Sequence, residues 1–163
     1  MTVATLQFEP LHRHFVASVS GVALAALEDR TTLEQIRAGM DRFGVLVFHG
    51  QRLTDSEQLA FSRRFDGELH ARTGAAALQK SRLGTEAFAD ISNLDETGAL
   101  LQAGDRRRMY ALGNRLWHTD ASFQDPPGRY SMLSARVIPP VPADTEFADM
   151  RAAYDALPEE TKV

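Results

Sequence analysis

Cysteine is missing altogether from these 163 residues, which excludes disulfides, thiolate-bound zinc, iron–sulfur clusters and a cysteine nucleophile. No apolar stretch approaches the roughly 20 residues needed to span a bilayer. The first ten residues hold no basic segment running into an apolar one, so no secretory signal is expected. A strong charge of either sign is lacking too. The 18 Lys and Arg against 22 Asp and Glu give −4 at pH 7, which recommends neither nucleic acid nor an anionic membrane as partner. The chain has no Gly-x-Ser-x-Gly elbow, no Gly-rich phosphate loop ending in Lys-Ser/Thr, and no His-Glu-x-x-His. What remains is a soluble, cytoplasmic protein of ordinary composition, 44% hydrophobic and 25% charged, long enough for one domain with a core.

Local patterns then place the elements. Phe15–Val22 reads as a strand running into the turn at Gly21. Thr32 with Gln35 reads as a capping box opening a helix that carries Leu33, Ile36, Met40 and Phe43 and stops at Gly44. Val45–Phe48 reads as a short buried strand, and His49-Gly50-Gln51 turns the chain. Thr54 with Glu57 is a second capping box, opening a helix with Leu59, Phe61 and Phe65. The polar segment from Asp66 to about Phe88 reads as a long surface loop, of a length often given to lids. Ala89–Asn93 is a candidate strand before a turn at Asp95–Gly98. Arg106-Arg107-Arg108 reads as a solvated turn or helix face, with anion binding as the alternative. Tyr130–Ile138 is the best strand of the second half, with Tyr130, Met132 and Ser134 on one face. Asp149 caps a helix over Met150–Leu157, and Pro158 opens another that runs for about one turn before Val163. A lone first turn is unstable, so the expectation is the N-terminal part of a longer domain spanning residues 1–163.

The chemistry concentrates at Leu116-Trp117-His118-Thr119-Asp120-Ala121-Ser122-Phe123. In an extended segment His118 and Asp120 project from one face. They can occupy neighbouring positions on a metal such as Fe(II), whose oxygenase sites use two His and one carboxylate. Trp117 and Phe123 would add an apolar wall. A His-x-acid pattern arises readily by chance, so spacing alone also allows a simple His–Asp pair. The acid pairs Asp90/Asp95 and Asp120/Asp125 admit a hydrolase dyad, although nothing in the sequence sets their separation.

Four stretches carry a family resemblance, in order along the chain: Gly44–Gln51, Gln58–Phe65, Asn114–Phe123 and Asp144–Leu157. Through them the chain resembles the taurine/2,4-dichlorophenoxyacetate family of Fe(II)- and 2-oxoglutarate-dependent dioxygenases, most nearly its 2,4-dichlorophenoxyacetate branch. The resemblance implies an α+β or mostly-β fold: a double-stranded β-helix (jelly roll) with flanking helices, incomplete at the C-terminus. It implies Fe(II) as metal and 2-oxoglutarate as cosubstrate, which O2 converts to succinate and CO2 while a small organic acid is hydroxylated. An aryloxyalkanoate hydroxylated beside its ether oxygen would collapse to a phenol and an oxo acid. Homo-oligomers are common among such relatives.

By the same resemblance His118 and Asp120 match the first two metal ligands, and Thr145 the threonine that contacts 2-oxoglutarate. Asn114 matches a position lining the substrate pocket. His70 falls near a substrate histidine, offset by one residue, with a solvent-facing loop histidine as the alternative; Ser92 and Asn93 lie near the expected pocket. Two departures stand out. Pro142-Ala143 replaces the usual Gly-Gly before Asp144-Thr145, and proline fixes φ where glycine would not. The family's second metal His and the Arg that grips 2-oxoglutarate match no residue here, and His12, His14 and His49 fit no ligand position. The expectation is therefore that this polypeptide alone is inactive and poorly folded. The alternatives are a non-catalytic or degenerate jelly-roll module that binds a small acid or a partner, and a taurine-type sulfonate dioxygenase.

Overall fold

The structure is a computed structural model describing residues 5–70, 82–85, 87–141 and 143–162. Much of the expected polar loop between Asp66 and Phe88, together with Pro142 and Val163, lies outside the described residues. Two compact units divide the chain: residues 1–65 with 134–163, and residues 66–133. Among the described residues no helix is long and apolar enough to cross a membrane.

The first unit is built on a three-stranded sheet in the order β1 (Gln7–Pro10), β2 (Ala17–Ser20), β3 (Leu46–Phe48). β1 and β2 are antiparallel, with Gln7 opposite Ser20 and Pro10 opposite Ala17. β2 and β3 are parallel, with Ala17 opposite Leu46, so the chain must cross over between them. Helix α1 (Arg30–Phe43) makes that crossing. Alternation along β2 buries Ala17 and Val19, and helical spacing along α1 buries Leu33, Ile36 and Phe43. Gly39 permits the approach of helix to sheet. A Cβ there would lie 2.4 Å from Cε1 of Phe8 and 3.2 Å from Cδ1 of Leu46.

The cap of α1 corrects the sequence reading. Asp29, not Thr32, is the N-cap, its carboxylate accepting from the backbone N–H groups of Thr31 and Thr32. Thr32 is fully buried and donates its hydroxyl to Asp29 Oδ2 at 2.5 Å. Gln35 instead accepts from the backbone of Leu6 at 3.3 Å, tying the helix to the start of β1. Asp29 outcompetes Thr32 because a carboxylate accepts two N–H bonds and suits the positive end of the helix dipole. Gly44 is the C-cap, as its position foretold. β3 is half-buried rather than buried.

Helix α2 (Asp55–Arg63) carries the expected capping box, with both reciprocal bonds between Thr54 and Glu57 formed. It buries Phe61, whose ring meets that of Phe65 edge-on at 5.3 Å. Two arginines tie the C-terminal segment to this unit. Arg136 donates to the Leu53 carbonyl, to Asp55 Oδ1 at 2.9 Å and to Gln58 Oε1 at 2.7 Å. Arg151 donates to the carbonyl of Asp41 at 2.9 Å, satisfying an acceptor that the end of α1 leaves open.

Among its described residues the second unit holds one short helix, α3 (Arg106–Ala111), capped by Asp105 and followed by a 3-10 turn, Leu112–Arg115. The turn at Asp95–Gly98 forms, closed by a bridge between Leu94 and Leu100. Ala89–Asn93 is not a strand. Nor is Tyr130–Ile138, although its alternation survives: Tyr130, Met132 and Ser134 are half-buried, while Ser131, Leu133 and Ala135 are exposed. A strand exists only where a neighbour completes its backbone bonds, and this segment joins no strand of the described sheet. Helix α4 (Met150–Asp155) has Asp149 as its cap, as expected, and Pro158 precedes a 3-10 turn at Glu159–Thr161. The described residues thus form a small sheet with helices.

Candidate metal centre

His118 and Asp120 follow the 3-10 turn in an extended, solvent-accessible segment. Nε2 of His118 lies 3.3 Å from Oδ1 of Asp120, with the two side chains 50% and 54% exposed. The backbone carbonyl of Leu116 lies 2.7 Å from His118 Nδ1. A carbonyl can only accept, so Nδ1 carries the proton, and in the neutral ring the Nε2 lone pair faces the carboxylate. Two electron-rich atoms this close require a positive charge between them, either a proton on Nε2 or a metal ion. Ligands at about 2.1 Å from a metal, in adjacent positions at right angles, stand about 3 Å apart. The donor set and its separation therefore fit a metal with two further supports in place. The Leu116 carbonyl fixes the ring tautomer, and Ser131 donates its hydroxyl to Asp120 Oδ2 at 2.6 Å. Among the described residues no third His, Asp or Glu joins the pair.

The turn after Asp120 folds sharply back. Ala121 adopts φ +51°, a region that side chains rarely occupy, and its carbonyl accepts from the backbone N–H groups of Gln124 and Gly128, each at 3.2 Å. Gly128 is needed for closeness: a Cβ there would lie 2.9 Å from that of Ala121. It would also come within 3.9 Å of the ring of His70, which places His70 against this same turn. His70 is half-buried, and its Nδ1 is a buried atom with no hydrogen-bond partner. A buried unpaired ring nitrogen is costly.

The other candidates are distributed differently. Asn114 is exposed in the 3-10 turn four residues before His118. Thr145 is exposed in an extended stretch of the first unit. Trp117 and Phe123 are 70% and 75% exposed, so neither walls the pair here. The Asp90/Asp95 dyad has no support, because Asp90 pairs with Arg82 at 2.9 Å and Asp95 is spent on its own turn. In the basic run, Arg107 is committed to Asp105 at 2.7 Å and Glu96 at 2.9 Å. The Arg107 guanidinium and backbone N–H hold Asp105 down at a pKa of about 2. That favours the helix-face reading over an anion site.

Sequence reasoning missed Ser131 and the Leu116 carbonyl. Ser131 lies eleven residues from Asp120 across a turn, a distance no periodicity encodes. The Asp125-Pro126-Pro127-Gly128 turn was the available signal that the chain returns there.

Comparison with known proteins gives three findings. The model of the family described as "Taurine catabolism dioxygenase TauD, TfdA family" matches residues 7–162. Over 158 residues the chain is 43% identical to the alpha-ketoglutarate-dependent 2,4-dichlorophenoxyacetate dioxygenase of Burkholderia sp. (strain RASC), covering 97% of this chain and 53% of the relative. The enzyme of the same description from Cupriavidus pinatubonensis is 46% identical over 149 residues, 91% of this chain and 52% of its own length. The crystal structure of AAD-2 in complex with Mn(II) and N-oxalylglycine superposes with a TM-score of 0.83 at 40% identity, covering 97% of this chain and 52% of that one. The chain spans about half the length of the relatives it matches.

Proposed function

The chain belongs to the taurine catabolism dioxygenase TauD, TfdA family, and from that premise we propose that it carries the first two metal ligands of an Fe(II)- and 2-oxoglutarate-dependent dioxygenase. The substrate is a small organic acid of the 2,4-dichlorophenoxyacetate type. Residues 1–163 are read as one incomplete part of a jelly-roll domain. One observation carries this reading: Nε2 of His118 and Oδ1 of Asp120 stand 3.3 Å apart, each side chain held by a second partner.

His118 and Asp120 would hold Fe(II) through Nε2 and Oδ1. The bound metal would supply the O2 activation that couples decarboxylation of 2-oxoglutarate to hydroxylation of the substrate. The Leu116 carbonyl keeps the proton of His118 on Nδ1, so that Nε2 stays a donor. Thr145 offers its hydroxyl to 2-oxoglutarate. Asn114 and His70 line the substrate side, and the unpartnered Nδ1 of His70 supports a role in meeting a polar group of the substrate. A second reading, a non-catalytic module binding a small acid, draws on the lack of a third ligand among the described residues.

Anaerobic addition of Fe(II) and 2-oxoglutarate to the full-length protein should give a weak visible charge-transfer band, lost in His118→Ala and Asp120→Ala. Absence of the band overturns the dioxygenase reading. A band without iron-dependent succinate on adding any acid substrate favours the module. Succinate with taurine but not 2,4-dichlorophenoxyacetate moves the protein to the sulfonate branch. Iron-dependent succinate from the 163-residue chain alone would refute its expected inactivity.

A further inference from the structure

We propose that Ser131 is a positioning residue for the metal-binding carboxylate: its hydroxyl holds Oδ2 of Asp120 and leaves Oδ1 as the ligating oxygen. The proposal rests on reading His118 and Asp120 as metal ligands. The terminal torsion of an aspartate is broad and two-fold, so the side chain does not itself choose the plane of its carboxylate. Packing does not choose it either, since Asp120 is 54% exposed. The bond from Ser131 Oγ, at 2.6 Å, is short and charge-assisted. With Oδ2 occupied, Oδ1 is the oxygen presented 3.3 Å from Nε2.

The arrangement is paired. Leu116, two residues before His118, fixes the ring through its carbonyl, and Ser131, beyond the turn, fixes the carboxylate through its hydroxyl. The bonds from Gln124 and Gly128 to the Ala121 carbonyl fold the intervening turn and bring Ser131 back beside Asp120. Outer partners of this kind commonly set metal affinity by orienting the ligand atoms. Ser131 itself touches neither metal nor substrate, so its influence passes through Asp120.

The test is Mn(II) titration of the 163-residue chain followed by proton NMR. Mn(II) broadens the Hε1 ring signals of the five histidines, and His118 is assigned by the signal lost in His118→Gln. His118 should broaden first in the unsubstituted chain. Ser131→Val should raise the Mn(II) concentration needed at His118 about 10-fold, while Ser131→Thr, equal in volume but retaining a hydroxyl, should stay within about two-fold. Unmoved signals from the other four histidines establish that the fold is kept; should Val disturb them, Ser131→Ala against Ser131→Thr supplies the same contrast. Equal titrations of Val and Thr overturn the role of Ser131, whether both weaken or neither does. No preferential broadening of His118 in the unsubstituted chain sinks the metal reading itself, and this proposal with it.

Discussion

Every buried apolar side chain among the described residues, from Leu6 to Phe65, lies in the stretch that carries no proposed metal ligand. Residues 66–133 hold His118 and Asp120 and bury none of their described side chains. The two stretches are held together differently. In the first, α1 lies on the sheet with Ile36 2% exposed and the rings of Phe8 and Phe43 stacked at 6.0 Å. In the second, polar bonds do the holding: Arg107 to Asp105 and Glu96, Asp95 to Thr97 and Ala99, Ser131 to Asp120. A burial contact excludes water, whereas an exposed hydrogen bond exchanges with it and nets only about 0.5–1.5 kcal/mol. The buried core and the proposed metal ligands are therefore carried by separate parts of this chain.

Truncation at the core tests that separation most strongly. Ile36→Ala should cost about 2–5 kcal/mol in urea unfolding. Trp117→Ala, beside the proposed metal pair but 70% exposed, should change it by less than about 0.5 kcal/mol. Comparable losses from both would break the contrast. Gly39→Ala comes next. In an exposed helix interior the change to alanine gains about 1 kcal/mol, yet here the new Cβ would sit 2.4 Å from the Phe8 ring. A net loss of about 1–3 kcal/mol is expected from overpacking. A stabilised variant would show that α1 does not rest on the sheet as described.

The core was the more legible of the two in the sequence, because periodicity records burial. Leu33, Ile36 and Phe43 recur at helical spacing and are buried, and Thr54 with Glu57 forms the box that its spacing announced. Sequence points to Thr32 rather than Asp29 as the cap because Thr-x-x-Gln matches a local pattern, whereas in the fold Gln35 accepts from Leu6 and Asp29 takes the helix N–H groups. At the site, the His118–Asp120 spacing was readable, but their supports were not. A backbone carbonyl has no sequence signature, and Ser131 arrives through a turn whose closure depends on the Ala121 carbonyl. The stretch from Tyr130 to Ala135 alternates without joining the described sheet, since side-chain pattern is local and strand pairing is not.

Metal should sharpen the contrast by acting on one stretch alone. A ligand that binds only the folded form at ten times its Kd stabilises it by about 1.4 kcal/mol. With Mn(II), amide hydrogen exchange should slow over residues 116–131 and stay unchanged along α1. His118→Ala should remove the effect while leaving the free energy of urea unfolding, measured without metal, within about 0.5 kcal/mol of the unsubstituted chain. Slowing throughout α1 would mean that the two stretches fold as one cooperative unit.

The smallest effect concerns acid. Asp105 titrates at about 2 in the folded chain against an ordinary 3.8, chiefly through the Arg107 side chain. Because the folded value is the lower one, the stabilisation is fully present above the ordinary value and is lost as pH falls toward about 2. Asp105→Asn should therefore make the stretch near Arg107 less sensitive to acid across that interval, with no change in sensitivity above it. The caps of the first stretch, Asp29 and Glu57, are also held below their ordinary values, by Thr32 and Thr54, so acid weakens both stretches at once. NMR signals from α1 should thus shift with acid equally in Asp105→Asn and in the unsubstituted chain, while those of α3 should separate. If α3 keeps the same acid midpoint in both, the Asp105–Arg107 bond is not what holds that turn of helix.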